Sequence, residues 1–94
     1  MAAYWIAHVQ VLDPEKYSGY TALAPAAFAK YGAKFLARGG GSKVMEGDLP
    51  DRHVVIAFTD MATAQACYAS SEYQQAKIKR DGHCIASVVI VEGL

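Results

Sequence analysis

Six polar side chains in this sequence are of types that act on small organic molecules: His8, Arg38, Glu46, Tyr68, Ser70 and Tyr73. His8 lies in an apolar segment and His53 in another. Two imidazoles brought together could share a proton or ligate a metal, because their charge changes near neutral pH and their ring nitrogens are good ligands. A metal site needs further ligands, and no third one stands at a recognisable spacing, so no metal is expected and each histidine can equally be a hydrogen-bonded strand residue. Arg38 precedes Gly39-Gly40-Gly41. A guanidinium beside backbone without side chains can present charge and N–H donors to a carboxylate or another small anion. The glycines follow a strand pattern and open no helix, which fails the context of a phosphate loop. The plainer alternative is a β-bulge with Arg38 salt-bridged, and Glu46 and Arg52 are available to pair with it or with each other.

In the sharpest form of this reading His8 is a general base and Arg38 stabilises a developing enolate or carboxylate. Glu46, Tyr68, Ser70 and Tyr73 then bind the substrate, and no cofactor is needed. Tyr68, Ser70 and Tyr73 cluster where a helical pattern breaks, a place for either a pocket mouth or a helix cap. Tyr17, Tyr20 and Tyr31 recur at helical spacing and are expected in the core with wet hydroxyls. Lys77, Lys79 and Arg80 read as a solvated helix terminus favoured by the helix dipole. No Ser-His-Asp arrangement, H-E-x-x-H or aromatic RNA-binding signature is present.

These residues must be positioned by a short series of elements. Tyr4–Val11 reads as a strand with Trp5, Ala7, Val9 and Val11 on one face and Tyr4, Ile6, His8 and Gln10 on the other. Asp13 caps a helix that Pro14 opens and Gly32 ends, and Pro25 predicts a kink over Thr21–Ala24. Lys34–Arg38 and Ser42–Glu46 read as one strand broken by the glycines, returning through a loop at 47–51 into a strand over Arg52–Thr59. Asp60 caps a second helix through Ala69, Ser71-Glu72-Tyr73-Gln74 has the form of a capping box for another turn or two, and Ile85–Val91 is the last strand. The order β-α-β-β-α-β fits an α+β, ferredoxin-like sandwich with an antiparallel sheet. Its two helices cover one sheet face, yet Tyr4, Ile6, Val55 and Ala57 put apolar groups on the other. A second copy, related by two-fold symmetry, is the simplest cover, giving a homodimer.

Composition narrows the partners. Ninety-four residues, 53% of them hydrophobic, make a single domain spanning 1–94. Charged residues are 19%, against a usual ~25%, and nine basic side chains cancel nine acidic ones. Such a surface has no field to attract nucleic acid or an anionic membrane. No apolar run reaches the ~18 residues of a membrane span and no secretory signal is evident. The chain is therefore expected to be soluble and cytoplasmic, with Cys67 and Cys84 as small packing groups.

Asp13-Pro14 with Tyr17 and Tyr20, Tyr31-Gly32, Ala37-Arg38-Gly39-Gly40, Glu46-Gly47, and Tyr68 with Ser70, Glu72 and Tyr73 together resemble the DUF1330 family over nearly the whole chain. Ser71 stands where that family's Ser-Pro-Glu-Tyr run would carry proline, and serine can cap the helix instead. The resemblance implies the dimeric α+β barrel superfamily, which includes cofactor-free monooxygenases, haem-degrading enzymes, and chlorite dismutase-like and muconolactone isomerase-like proteins. It assigns no residue a role. The expectation is a homodimer that binds or transforms a small organic molecule in a cleft between sheet and helices, without a cofactor. The alternative is a non-catalytic dimeric interaction or regulatory module.

Overall fold

The computed structural model describes all residues, Met1–Leu94. Its elements are β1 (Ala3–Val11), α1 (Pro14–Lys30), β2 (Lys34–Arg38), β3 (Arg52–Phe58), α2 (Met61–Ala69), α3 (Ser71–Arg80) and β4 (Cys84–Glu92). The four strands form one antiparallel sheet in the order β2-β3-β1-β4. This is the expected α+β ferredoxin-like architecture, with its second helix in two pieces. No helix is long and apolar enough to cross a membrane.

The α1 cap forms as its residues dictate. Asp13 accepts from the Lys16 N–H at 3.1 Å, Pro14 fills the first turn, and Gly32 ends the helix at φ +67°. The helix continues through Pro25 as one element of 17 residues. Pro25 is on the exposed side, where a missing ladder bond costs least. One expectation fails at Ser42–Glu46, which is an exposed connection rather than strand. Gly39 turns the chain at φ +68° while its N–H bonds the His53 carbonyl at 2.9 Å, and the glycines after it have no side chain to hold the segment on the sheet.

The α2–α3 break is set by Ser70, not by the expected Ser71. Ser70 is the extended residue, its Oγ accepting from the Tyr73 N–H at 3.1 Å and donating to the Cys67 carbonyl at 2.6 Å. The turn drives Tyr73 into the core, and α3 continues for ten residues, longer than the turn or two expected. That core centres on Trp5, 1% exposed, with ring centroids 5.0 Å from Phe28, 6.0 Å from Phe58, 5.6 Å from Tyr68 and 5.0 Å from Tyr73. Cys67 packs fully buried, and burial pushes its thiol up to about 11.

On the opposite face of the sheet Tyr4, Ile6, Val55 and Ala57 stay half-exposed, and Val89 and Val91 of β4 are 53% and 46% exposed. The single protomer leaves this apolar face open.

Across the helix layer, Lys30 at the end of α1 pairs with Glu72 in the first turn of α3. The hydrogen bond from Lys30 holds the Glu72 carboxyl below its ordinary value. A depressed carboxyl contributes stability above its unfolded value, 4.5, and loses it as pH falls through the folded value. The difference in urea midpoint between wild type and Glu72→Gln should therefore be constant over roughly pH 6 to 9 and shrink well below 4.5. An undiminished difference at pH 3 would show that the pair is not its source.

Candidate functional site

Where the inner sheet face meets α1 and α3, the aromatic core leaves a cavity of about 100 Å³. Its existence follows from side-chain size. Ala7 and Ala86 on the sheet stand across from Ala24 on α1, so the backbones are held apart by neighbouring rings while these positions supply only methyl groups. Trp5 and Ile56 wall one side.

Three arginines reach this cavity by three different devices. Arg38 arrives through a bulge in β2. Phe35 pairs with Ile56 and Arg38 with Val54, so three steps on β2 match two on β3. In a regular strand residues three apart face opposite sides; the extra residue puts Phe35 and Arg38 on the same, inner face. There the Arg38 guanidinium carbon sits 4.0 Å from the Phe35 ring centroid, at the exposed rim. Arg52 begins β3 in phase with the buried Val54, Ile56 and Phe58. Its guanidinium passes beneath Gly39, where an added Cβ would lie 2.2 Å from Nη1, and its Nε is buried with no hydrogen-bond partner. An orphaned donor of this kind costs roughly 1–3 kcal/mol. Arg80 ends α3 and is 9% exposed.

The hydroxyls form a chain. Arg80 Nη2 donates to the Tyr73 hydroxyl at 3.3 Å, and Tyr73 lies 3.0 Å from the Tyr20 hydroxyl. Tyr73, accepting from Arg80, can either donate to Tyr20 or accept from it, and in the first arrangement the Tyr20 proton is left for a further acceptor. Burial, reinforced by the Tyr73 hydroxyl, pushes Tyr20 far above the ordinary phenol value. Burial alone would pull Arg80 down, but its bonds to Tyr73 and Cys84 outweigh this and the guanidinium stays charged. Burial also raises Tyr17, with Arg52 opposing. None of the nine acidic residues lines the cavity, and the two ion pairs of the fold, Lys30–Glu72 and Lys77–Asp81, lie outside it. The expected pairing of Glu46 with Arg38 or Arg52 does not form.

The six residues singled out from the sequence do not converge. Arg38 and Tyr73 line the cavity. His8 faces the other side of the sheet, where it stands directly opposite His53 with their Nδ1 atoms 2.8 Å apart. One ring donates and the other accepts, so the contact holds one proton between two nitrogens. Within a protomer the sheet separates His8 from Arg38. Glu46 sits in the exposed connection. Tyr68 stacks against Trp5 and Tyr73 and lines an open groove beside β4, and Ser70 is occupied as the α3 cap. Sequence reasoning missed Arg52, Arg80 and Tyr20 as cavity groups. Arg80 in particular is a buried side chain, not a solvated terminus. The signals were the even-numbered alternation of β3 that includes Arg52, and the helical spacing of Tyr73, Ala76 and Arg80.

A family model described as a domain of unknown function, DUF1330, matches residues 2–94. The chain belongs to the DUF1330 family. No curated protein matches it. Among solved structures, a protein of unknown function from Rhodopseudomonas palustris is 15% identical at a TM-score of 0.78, over 99% of this chain and 82% of that one. SnoaB, a cofactor-independent oxygenase from Streptomyces nogalater, is 14% identical at 0.65, over 99% and 93%. A dimeric ferredoxin-like protein of unknown function from Jannaschia is 15% identical at 0.67, over 99% and 100%. At these identities the likeness establishes the fold this DUF1330 chain shares with them.

Gly39 is the position on which Arg52 most visibly depends. Gly39→Ala adds a methyl group at φ +68° and 2.2 Å from Arg52 Nη1, so we expect a loss of about 1–2 kcal/mol from backbone strain, with further loss from displacing Arg52. Urea unfolding checks it, with Gly40→Ala, which meets nothing within 4 Å, as the comparison. Equal stability of the two variants would refute the cradle.

Proposed function

We propose that this DUF1330 protein is a homodimer that binds a small organic molecule in the cavity between sheet and helices, its chemistry being of the cofactor-free oxygenase or isomerase type. One observation carries the reading: Tyr20, Tyr73 and three arginines bring hydroxyls and guanidiniums to a space whose remaining walls are mostly apolar. In this reading Arg38, at the rim, admits and orients the ligand and Tyr73 supports Tyr20 as the donor to it. A cavity of about 100 Å³ is smaller than the ~150 Å³ that takes benzene, so it encloses only part of an occupant of about half a dozen heavy atoms or more. SnoaB, described as a cofactor-independent oxygenase, supports the reaction type at the level of fold alone.

The open outer face supports self-association. Joining two such faces by a two-fold axis would bury Ile6, Val55, Val89 and Val91 and set both His8–His53 pairs within the seam, closing two sheets into a barrel. The Jannaschia neighbour is described as dimeric. A cavity of about 100 Å³, below the ~300–1,000 Å³ of drug-sized sites, favours a second reading, a dimeric interaction module without chemistry.

Trp5 is the sole tryptophan and walls the cavity, so its fluorescence reports occupancy. Titrating a panel of acids, amides, ketones and phenols of roughly four to nine heavy atoms should give a saturable change that Ala24→Leu, filling the cavity at a cost of about 1–3 kcal/mol, abolishes. No response from any member in the wild type would favour the interaction module. Separately, light scattering should find a dimer, and Val89→Glu, placing like charges across the two-fold axis, a folded monomer. A wild-type monomer would overturn the homodimer.

A further inference from the structure

We infer that the ligand of this cavity is an anion, a small carboxylate with an apolar body, its charged end set among Arg38, Arg52 and Arg80. The inference rests on the small-molecule reading above and names its chemical class. The chain as a whole carries no net charge, yet this one space has three guanidiniums and no carboxylate around it. Of the six other cations Lys30 pairs with Glu72 and Lys77 with Asp81, while none of the three arginines has an acidic partner.

The burial of Arg80 strengthens the argument. Arg80 is nine-tenths buried, and the groups that touch it are all neutral: the Tyr73 hydroxyl, the Cys84 sulfur at 3.8 Å and the Tyr20 ring, whose centroid lies 5.0 Å away. Such partners solvate a cation but leave its charge uncompensated, and an uncompensated buried charge is unfavourable until a counter-ion arrives. Arg52 adds an Nε–H with no acceptor, one arm of the side-on fork by which a guanidinium grips both oxygens of a carboxylate. Gly39, by lacking a Cβ, leaves room for that guanidinium. Tyr20 places a hydroxyl at the end of this chain. Most of the remaining wall, Trp5, Ala24 and Ile56 among it, offers apolar contact, which suits a short hydrocarbon or aromatic body and leaves inorganic anions half-served.

Matched pairs isolate the charge. Butyrate against butyramide, and benzoate against benzamide, differ chiefly at the group the arginines would meet. Followed by Trp5 fluorescence and calorimetry on the wild type, each acid should bind at least about tenfold tighter than its amide. Arg52→Gln should weaken the acids by about 10- to 100-fold and leave the amides within about twofold; Arg38→Gln, at the exposed rim, gives the same readout if Arg52→Gln does not fold. Acid and amide binding equally would overturn the anion inference, and inorganic phosphate binding as tightly as benzoate would overturn the carboxylate with an apolar body; either leaves the small-molecule reading standing. No response to any of these probes would overturn both.

Discussion

Trp5 touches Phe28 of α1, Phe58 of β3, Tyr68 of α2 and Tyr73 of α3, so a single indole joins the sheet to every helix. Aromatic pairs at these distances add to the large apolar area that each ring buries. Their size also sets the spacing between the layers. Where the rings meet, the interior is filled; where Ala7, Ala24 and Ala86 face one another, the same spacing leaves the cavity. Core and site are thus two results of one packing arrangement.

Polar groups enter this apolar layer only through local irregularities. The β2 bulge turns Arg38 inward, the positive-φ Gly39 opens a path for Arg52, and the Ser70 break between α2 and α3 aims Tyr73 at the core with Arg80 two turns later on the same side. Each device is a departure from regular secondary structure, and each serves the same end of the molecule. Regular alternation would have turned Arg38 to the outer face of the sheet, away from the cavity.

The two sheet faces divide the chemistry. The inner face holds guanidiniums and phenols around a partly open cavity. The outer face holds a cross-strand imidazole pair in a half-exposed apolar field. A sheet is opaque to side-chain contact, since successive residues point to opposite sides. One protomer therefore has two separate polar neighbourhoods, and a role for His8 beside Arg38 finds no geometric support within it.

The sequence by itself determined the element order, the sheet pairing and most of the core, because period-two alternation, caps at Asp13 and Asp60, and the Gly32 stop are local signals that tertiary contacts here reinforce. It also placed His8 and His53 near one another, since antiparallel pairing of the first and third strands leaves little freedom in register. The family was legible in motifs that spread along nearly the whole chain. The site was only partly legible. Arg38 and Tyr73 were found from a glycine run and a helix break, but Arg80 read as a solvated end because a basic last turn is normally exposed. Arg52 was passed over because charge outweighed its place in the alternation. Which polar side chains share a cavity depends on the depth to which each helix end is buried and on a one-residue bulge. Both are decided by packing between elements distant in the chain, and that information has no local signature.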